Sequence, residues 1–409
     1  MNKKISIGLA IALVIMAMAA SFAVTMSYSQ KIYNKLIPNL SERLDRRYAL
    51  DKIEALVNAK FYFEPEINNK ALNTSIAAGY LNGLGDPYSK FLTPAAYREY
   101  KDKLEGKEHG IGIITALKPD TGTIYIVDVT PDSSADKEGI KKGDEIINIE
   151  GETVTAGNYD SMILKLQGMS LTTVTLTYRR DTAETTVNVM IGFEAQTVAY
   201  EVDGEIGYIR ITKFYKNTAS QLEKAIAALK KENITCIVFD VRNTSEGTIE
   251  YAAKAVDVIV PVGSEGTGAI AIAYKRDGTI YEQYPSSAGE EILPMNVLIN
   301  AGTSGCGELF AVSLREYKTC KLVGQKTAGN ATLQSLESLP DGSAVLLTVA
   351  IVKPYSSSYE DGLEPEPEDT VALTEQENTD IDLLQRSQDT QYQKAKTLIE
   401  KEVAANKNR

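Results

Sequence analysis

The sequence predicts an α/β protein of several domains: an N-terminal membrane anchor and helices, an inserted β-rich domain, an α/β core with a mostly parallel sheet, and a C-terminal helix. Its 409 residues suffice for two or three domains. Short runs of β-forming residues fill residues 107–193. Strand and helix patterns alternate through residues 194–375, which is typical of a parallel sheet covered by helices.

Composition and charge exclude several classes of protein. The chain is 43% apolar and 24% charged, as ordinary globular proteins are. Its net charge of −12 disfavours nucleic acid as a partner, because phosphate contacts need clustered Lys and Arg side chains. One histidine, His109, and three widely spaced cysteines argue against a zinc site and a disulfide framework. We therefore expect no metal and no cofactor.

The N-terminus contains a long apolar run. Residues 5–26 carry no charge and are long enough to cross a bilayer as a helix, which takes about 20 residues. Lys3 and Lys4 favour a cytoplasmic N-terminus with the main body outside. Residues 1–30 are therefore predicted to be a single-pass signal anchor in the cell membrane. Small residues in AMAA and SFAV leave a cleaved signal peptide open, which would release the chain into the envelope or the medium.

Helical patterns flank the two central domains. In residues 31–105, apolar residues recur at helical spacing in KIYNKLIPNL and DKIEALVNAKFYF. Thr93 followed by Pro94 predicts a helix N-cap and first helical residue. Residues 376–409 contain an amphipathic C-terminal helix, IDLLQRSQDTQYQKAKTLIEKEV. These helical ends are apolar enough to support a homodimer or a heterodimer.

The β-rich stretch contains a candidate peptide-binding loop. Gly110, Ile111, Gly112 and Ile113 predict a loop whose backbone N–H groups can hold a peptide carboxylate, followed by a strand that a peptide can extend. Taken alone, such a segment is more often an ordinary glycine-containing strand.

Several segments together resemble the carboxy-terminal processing proteases, also called tail-specific proteases. They include LGDPYSKFLTPAAYREY, KKGDEIINIEG, IGYIRITKF, CIVFDVRN, KLVGQKTAGNATLQ and DGLEPEPE, in the family order between residues 75 and 375. The resemblance implies an exported protein with a PDZ domain over residues 107–193 and a serine peptidase core over residues 194–375. It also strengthens the peptide-binding interpretation of the GIGI loop.

The resemblance locates the catalytic positions as well. Members of the family use a serine nucleophile three residues before a glutamate, and a lysine general base followed by a glutamine. Counting back from Glu308 places the nucleophile position at Gly305. The base position falls on Asn330, 25 residues later, and Gln334 matches the glutamine. Both reacting side chains are therefore replaced within a retained frame.

A third departure lies in the loop that helps to form the oxyanion hole in the family. Glu246 and Gly247 stand where the resemblance implies two glycines. A carboxylate here would repel a developing oxyanion, and misplacing one donor costs on the order of 10²–10³ in rate. Asp240 and Arg242, earlier in this loop, are expected to pair structurally at the end of a buried strand.

These substitutions predict a catalytically inactive pseudoprotease that binds polypeptide C-termini or regulates a partner protease. Glycine cannot form an acyl-enzyme, and a carboxamide cannot accept a proton near neutral pH. The alternative is an active serine-type endopeptidase that cleaves exported proteins near their C-termini, with Ser304 or Cys306 as a relocated nucleophile. Neither would inherit the geometry easily, and Cys306 would need a base. A structural protein of the cell envelope, using its PDZ domain only for assembly, is the third hypothesis.

Overall fold

The computed structural model divides into two compact units, Met1–Asn73 and Thr74–Arg409. It describes residues 7–36, 40–62, 68–168, 172–260, 269–286, 293–318, 320–379 and 381–407.

The first unit is helical. It contains α1 (Ile7–Leu36), α2 (Leu40–Lys60) and the beginning of α3 (Asn69–Asn82). Within α1, Ile11–Ser29 has a mean hydropathy of 2.0 and is long and apolar enough to cross a membrane. Such a helix is consistent with a signal sequence or an anchor, although Lys3 and Lys4 lie outside the described residues.

The second unit continues with a short strand and a helix, β1 (Lys90–Leu92) and α4 (Pro94–Leu104). As predicted, Thr93 caps α4 and Pro94 opens it: the Thr93 hydroxyl accepts a hydrogen bond from the Ala96 N–H at 3.3 Å. This bond satisfies one of the N–H groups that a helix start leaves without an internal partner.

A β-rich domain follows, built on an antiparallel sheet. Its strands are β2 (Lys107–Glu108), β3 (Ile113–Leu117), β4 (Ile124–Val129), β5 (Glu145–Ile149), β6 (Glu152–Thr153), β7 (Thr173–Arg180), β8 (Ala183–Met190) and β9 (Phe193–Glu194), with helices α5 (Ser134–Lys137) and α6 (Tyr159–Leu166). The sheet has the order β3-β4-β5-β7-β8, with β6 paired to β5. β3 is therefore an edge strand, while β2 and β9 pair with each other where the chain enters and leaves the domain.

The core of the second unit alternates strands and helices, as predicted. Its strands are β10 (Val198–Asp203), β11 (Ile206–Ile211), β12 (Lys213–Phe214), β13 (Cys236–Asp240), β14 (Glu246–Gly247), β15 (Ala269–Tyr274), β16 (Ile280–Pro285), β17 (Met295–Ile299), β18 (Lys321–Gly324), β19 (Thr332–Ser338) and β20 (Ala344–Pro354). Its helices are α7 (Thr218–Lys231), α8 (Ile249–Asp257), α9 (Cys306–Lys318), α10 (Glu375–Thr379) and α11 (Thr390–Lys407), with short 3₁₀ turns at Pro367–Asp369 and Ile381–Leu383.

Two sheets organise this core. In the first, of order β10-β11-β13-β17-β18, the pairs β11–β13, β13–β17 and β17–β18 are parallel, and β10 joins antiparallel at one edge. The mostly parallel sheet is thus confirmed. The second sheet, β1-β20-β15-β16 with β19 on β20, is antiparallel and was not predicted.

The structure differs from the predicted helical stretches at β1 and α11, and the boundaries of β3 and β18 also have identifiable reasons. β1 lies in a stretch predicted as helical, since three residues are too short to show a strand period. β3 begins at Ile113, because Gly112 has a φ of +84° that interrupts an extended strand. β18 ends at Gly324, whose φ is +127°. α11 starts only at Thr390, after the Asp389 carboxylate accepts a capping hydrogen bond from a later N–H.

Both faces of the parallel sheet are buried. Ile209 and Phe239 face one hydrophobic core, and their strand neighbours Tyr208 and Val238 face the other. Such strands read as continuous apolar runs, which is why the sequence predicted them well. Helices α7, α8 and α9 cover the first face, and α11 covers the second with Tyr392, Ala395 and Ile399.

A buried ion-pair network ties α11 to the loop after β13. The Arg242 guanidinium donates to the Asp240 carboxylate at 2.9 Å and to Asp389, just before α11, at 2.7 Å, and all three side chains are fully buried. Burial alone would raise the pKa of Asp240, but Arg242 and Arg210 outweigh it and hold that pKa below its ordinary value. The expected structural pairing of Asp240 with Arg242 is confirmed, with Asp389 as an additional partner.

Removing the Arg242 guanidinium takes a shared cation away from two buried carboxylates, Asp240 and Asp389. We expect Arg242→Ala to lower the free energy of unfolding by about 3–5 kcal/mol, measured by urea denaturation of the detergent-solubilised full chain. Lys254→Ala, which breaks an exposed pair with Glu250, serves as the control and should cause no measurable change. A loss for Arg242→Ala as small as that of the control would contradict the role of this network.

Candidate active site and peptide groove

The predicted nucleophile position lies in a tight turn that ends at α9. Gly305 has a φ of +55°, the left-handed region that glycine adopts most easily, and Cys306 begins the helix. The turn packs against the preceding loop, because the Ser304 N–H donates to the Thr244 carbonyl at 3.0 Å. Gly307 allows this approach: a Cβ there would lie 2.5 Å from the Thr244 carbonyl oxygen.

The Glu308 carboxylate anchors this turn to the loop that carries the predicted base position. It is fully buried and accepts hydrogen bonds from the backbone N–H groups of Gly305 at 2.9 Å, Gly329 at 2.7 Å and Asn330 at 2.8 Å, and from the Thr327 hydroxyl. The bond to Gly305 is a helix-capping interaction, in which a glutamate in the first turn of α9 accepts from the backbone N–H of the residue before the helix. Such donors satisfy a buried carboxylate.

Residues 305 and 330 face each other in the structure. A Cβ built on Gly305 would lie 3.3 Å from Asn330 Nδ2, and the next two atoms within 4.0 Å also belong to Asn330. A side chain at position 305 would therefore point at the side chain of residue 330. In this chain a hydrogen atom and a carboxamide stand in these two facing places.

Gln334 is connected to Asn330 by hydrogen bonds through the Thr332 hydroxyl. Its amide nitrogen donates to the Thr332 hydroxyl at 2.6 Å and to Thr348 Oγ1 at 3.3 Å. The Thr332 hydroxyl in turn donates to Asn330 Oδ1 at 2.5 Å, and the Thr332 N–H donates to the same oxygen at 3.1 Å. A chain of hydrogen bonds thus fixes the Asn330 carboxamide.

The predicted oxyanion loop lies beside the turn. The Cys306 thiol is 3.5 Å from the Glu246 carbonyl, while the Glu246 carboxylate accepts a hydrogen bond from the Tyr215 hydroxyl at 2.8 Å. Burial is the largest cause that raises the pKa of the Tyr215 hydroxyl, and its hydrogen bond to the Glu246 carboxylate is the second. Gly247 is required where β14 pairs with β12, because a Cβ there would lie 2.2 Å from the Phe214 carbonyl oxygen.

The alternative nucleophiles lack the environment that activation needs. Cys306 is buried, and burial raises the pKa of its thiol to about 12. Ser304 is half-buried. Lys326, the nearest lysine before the base position, forms an ion pair with Glu364 at 2.8 Å, and this hydrogen bond raises its pKa. A general base needs a lowered lysine pKa instead.

The GIGI loop forms a separate site in the β-rich domain. Its carbonyl groups point into the domain: those of Gly110, Ile111 and Gly112 accept backbone hydrogen bonds of 2.7–2.9 Å. None of their own N–H groups donates a hydrogen bond to another described residue. Gly110 and Gly112 have φ values of +77° and +84°, and Ile113 begins the edge strand β3. Free donors beside an open strand edge are what a peptide carboxylate requires.

The sequence analysis missed three supporting residues, Thr327, Thr332 and Tyr215, which hold Glu308, Asn330 and Glu246. The sequence gives little indication of their roles, because each residue acts through a hydrogen bond formed in the folded structure and belongs to no recognisable motif. Among the described residues, no group of three His, Cys, Asp or Glu side chains could hold a metal ion.

Comparisons with known proteins match two regions of this chain. Residues 205–368 match the family described as Peptidase family S41, and residues 110–191 match the one described as PDZ domain. The chain is 28% identical over 346 residues to a "Probable CtpA-like serine protease" of Staphylococcus haemolyticus, covering 83% of this chain and 67% of that protein. It is 26% identical over 311 residues to a protein of the same name from Staphylococcus epidermidis, covering 74% and 62%.

Solved structures show similar chains at lower identity. The photosystem II D1 C-terminal processing protease has a TM-score of 0.43 and 23% identity, with 79% of this chain and 86% of that chain covered. The tricorn protease has a TM-score of 0.41 and 17% identity, with 74% and 31% covered.

These sequence matches define the chain as a homologue of C-terminal processing serine peptidases. Its residues 205–368 are those of peptidase family S41, and its residues 110–191 are a PDZ domain.

The raised pKa of Cys306 has a direct chemical consequence. At pH 8 only about 10⁻⁴ of its thiol is ionised, and this fraction grows as the pH rises toward 12. We therefore expect iodoacetamide at pH 8 to leave Cys306 unmodified in the native chain and to alkylate it after unfolding in urea, as measured by peptide mass spectrometry. Cys320, equally buried with a pKa of about 12, is the internal control. Faster native labelling of Cys306 than of Cys320 would indicate an activated nucleophile.

Proposed function

We propose that the chain is an exported pseudoprotease, which binds polypeptide C-termini or regulates a partner protease without hydrolysing its ligand. One observation carries the proposal: the facing positions 305 and 330 hold glycine and asparagine. Glycine offers no oxygen for an acyl-enzyme, and the Asn330 carboxamide cannot take a proton from a nucleophile near neutral pH. Losing either member of such a unit removes most of the covalent pathway.

The surroundings of the turn before α9 support an inactive protein rather than one in which a neighbouring residue has become the nucleophile. Burial keeps the Cys306 thiol protonated, and Lys326 is engaged with Glu364. Glu246 adds a negative charge to the loop beside the turn, although its bond to Tyr215 holds the carboxylate. The first two features work against activating a nucleophile, and the Glu246 charge works against an oxyanion.

The PDZ domain supports binding. Peptide ligands of such domains add a strand to a sheet edge and place their C-terminal carboxylate in a backbone nest. The free N–H groups of the GIGI loop and the edge strand β3 fit this mode.

We place the protein in the cell membrane with its main body outside. The apolar helix α1 supports this placement. Lys3 and Lys4 before it favour a cytoplasmic N-terminus. A cleaved signal would release the same body into the envelope or the medium.

The decisive test restores the replaced pair. We expect the native chain not to cleave an unstructured polypeptide, and each single variant, Gly305→Ser or Asn330→Lys, to remain inactive because its partner group is missing. The double variant should gain cleavage, followed by gel electrophoresis and mass spectrometry of the products.

Gly305→Ala combined with Asn330→Lys is the matched control, since it adds the same Cβ without a hydroxyl. Cleavage by the native chain would establish the alternative, an active endopeptidase. Cleavage by the alanine control would show that the hydroxyl at position 305 is not the nucleophile.

Binding to the PDZ groove should depend on a free carboxylate. We expect C-terminal amidation to weaken a peptide that the full chain binds by about tenfold or more, because the charge-assisted hydrogen bonds to the GIGI loop are lost. Fluorescence anisotropy measures the two affinities, and the same peptide acetylated at its N-terminus is the control. Equal affinity of the amidated and free peptides would contradict carboxylate recognition.

A further inference from the structure

A basic groove lies on the antiparallel sheet, beside the hairpin that joins β15 to β16. Its volume is about 710 Å³, and three cationic side chains line it, those of Lys275, Arg276 and Lys353. Its described lining contains one carboxylate, that of Glu360. The whole chain has a net charge of −12, so a surface on which cations outnumber carboxylates differs from the rest of the protein. Such a surface attracts anionic groups.

The hairpin turn carries two of these cations. The Lys275 N–H donates to the Thr279 carbonyl at 2.8 Å, and the Gly278 N–H donates to the Lys275 carbonyl at 2.9 Å. Gly278 has a φ of +81°, a conformation that glycine adopts without strain. The backbone of the turn is therefore held by its own hydrogen bonds, while the side chains of Lys275 and Arg276 remain exposed.

The third cation lies on the outer face of the sheet. Lys353 of β20 pairs with Ile272 of β15, and their strand neighbours Val352 and Ala273 face the hydrophobic core. Because successive side chains of a strand point to opposite faces, Lys353 points away from that core. Lys275 lies three residues beyond Ile272, which corresponds to about 10 Å along the strand.

Two tyrosine rings hold the lysine head groups at different places. Lys353 Nζ lies 5.8 Å from the centroid of the Tyr274 ring, and Lys275 Nζ lies 5.8 Å from the centroid of the Tyr281 ring. A ring attracts an ammonium group without cancelling its charge. Since the two head groups lie over different rings and their residues are spaced along the sheet, they match separate anionic groups better than one small anion.

The carboxylates nearby are engaged within their own loops. The Glu360 carboxylate accepts a hydrogen bond from the Ser358 hydroxyl at 3.3 Å. The Asp277 carboxylate accepts one from the Thr279 N–H at 3.0 Å, and its hydrogen bonds with Thr279 lower its pKa more than the charge of Lys275 does. The three cations of the groove form no ion pair with another residue that the structure describes. Their charge is therefore available to a ligand.

The shape of the groove favours an extended polypeptide over a membrane surface. A groove is concave, so a flat layer of lipid headgroups cannot reach its floor. Val349 and Ile351, both half-buried, also line it and offer apolar contacts. An extended chain repeats its side chains on one face about every 7 Å, so it can place carboxylates at spaced cations and apolar side chains beside them.

We propose that this groove binds an extended acidic segment of a partner protein, with Asp or Glu carboxylates at the three cations and apolar side chains against Val349 and Ile351. Neither Gly305 nor Asn330 is among the described lining residues, and the GIGI loop belongs to another domain. The interaction therefore goes beyond the proposed function, and it requires neither hydrolysis nor its absence. No covalent bond forms or breaks.

The test uses the full chain in detergent and a fluorescein-labelled peptide of about 12 residues with Glu at every second position and Val or Ser between them. Its C-terminus is amidated, which removes the carboxylate that the GIGI loop would hold. A second peptide has Gln in place of every Glu. Lys353→Glu and Lys275→Glu reverse single charges in the groove. Lys224→Glu, at an exposed position of α7, is the matched control.

We expect Lys353→Glu and Lys275→Glu each to weaken binding of the Glu peptide by about fivefold or more, because an attraction between exposed charges becomes a repulsion. Lys224→Glu should leave the affinity unchanged. The Gln peptide should bind the native chain at least about tenfold more weakly, and raising NaCl from about 50 to about 500 mM should weaken the Glu peptide, since salt screens exposed charges. Fluorescence anisotropy measures the affinities, and circular dichroism verifies that the variants are folded.

Native affinity of both groove variants for the Glu peptide would overturn the proposal. The same holds if the Glu and Gln peptides bind equally tightly, or if Lys224→Glu weakens binding as much as the groove variants do. Displacement of the peptide by micelles that contain phosphatidylglycerol, but not by micelles with phosphatidylcholine, would assign the groove to a lipid surface and overturn the polypeptide. These outcomes do not concern cleavage, so they leave the proposed function as it stands.

Discussion

The buried carboxylate of Glu308 is the constraint on which the substituted site depends. It holds the turn before α9 and the loop before β19 together through three backbone N–H groups and one threonine hydroxyl. An isolated buried charge would be too costly to keep, so these donors must remain in place whatever side chains stand at positions 305 and 330. Glu308 therefore sets the distance between positions 305 and 330 independently of their side chains.

A second buried network connects this region to the end of the chain. Arg242 stands between the buried strand β13 and the loop that passes Glu246, and it pairs with Asp389 just before α11. The carboxamide of Asn243 reaches the Asn378 carbonyl in the same C-terminal segment. The segment that leads into α11 thus contacts the loop beside the turn. The shape of the candidate site therefore depends on contacts between residues more than 100 positions apart in sequence.

Sequence alone predicted the parts of this molecule that have a strong local signature. Buried strands such as β13 and β17 appear in the sequence as continuous apolar runs. The start of α4 was predicted from its threonine cap and the proline that follows it. The pairing of positions 305 and 330 followed from the resemblance. The antiparallel sheet around β20 did not, because its members are short or pair with distant strands. The hydrogen bond from Tyr215 to Glu246 was not predicted either, because a sequence does not indicate which partner an exposed carboxylate will contact.

The backbone conformation of Gly305 limits which residues can stand at this position. At a φ of +55° any residue with a Cβ is strained, at a cost of about 1–2 kcal/mol, and glycine is not. A serine at this position would carry that penalty, and opposite Asn330 it would still lack a base. Position 305 therefore favours a residue without a side chain, and the turn that Glu308 holds has its most relaxed main chain with the residue that offers no reactive group.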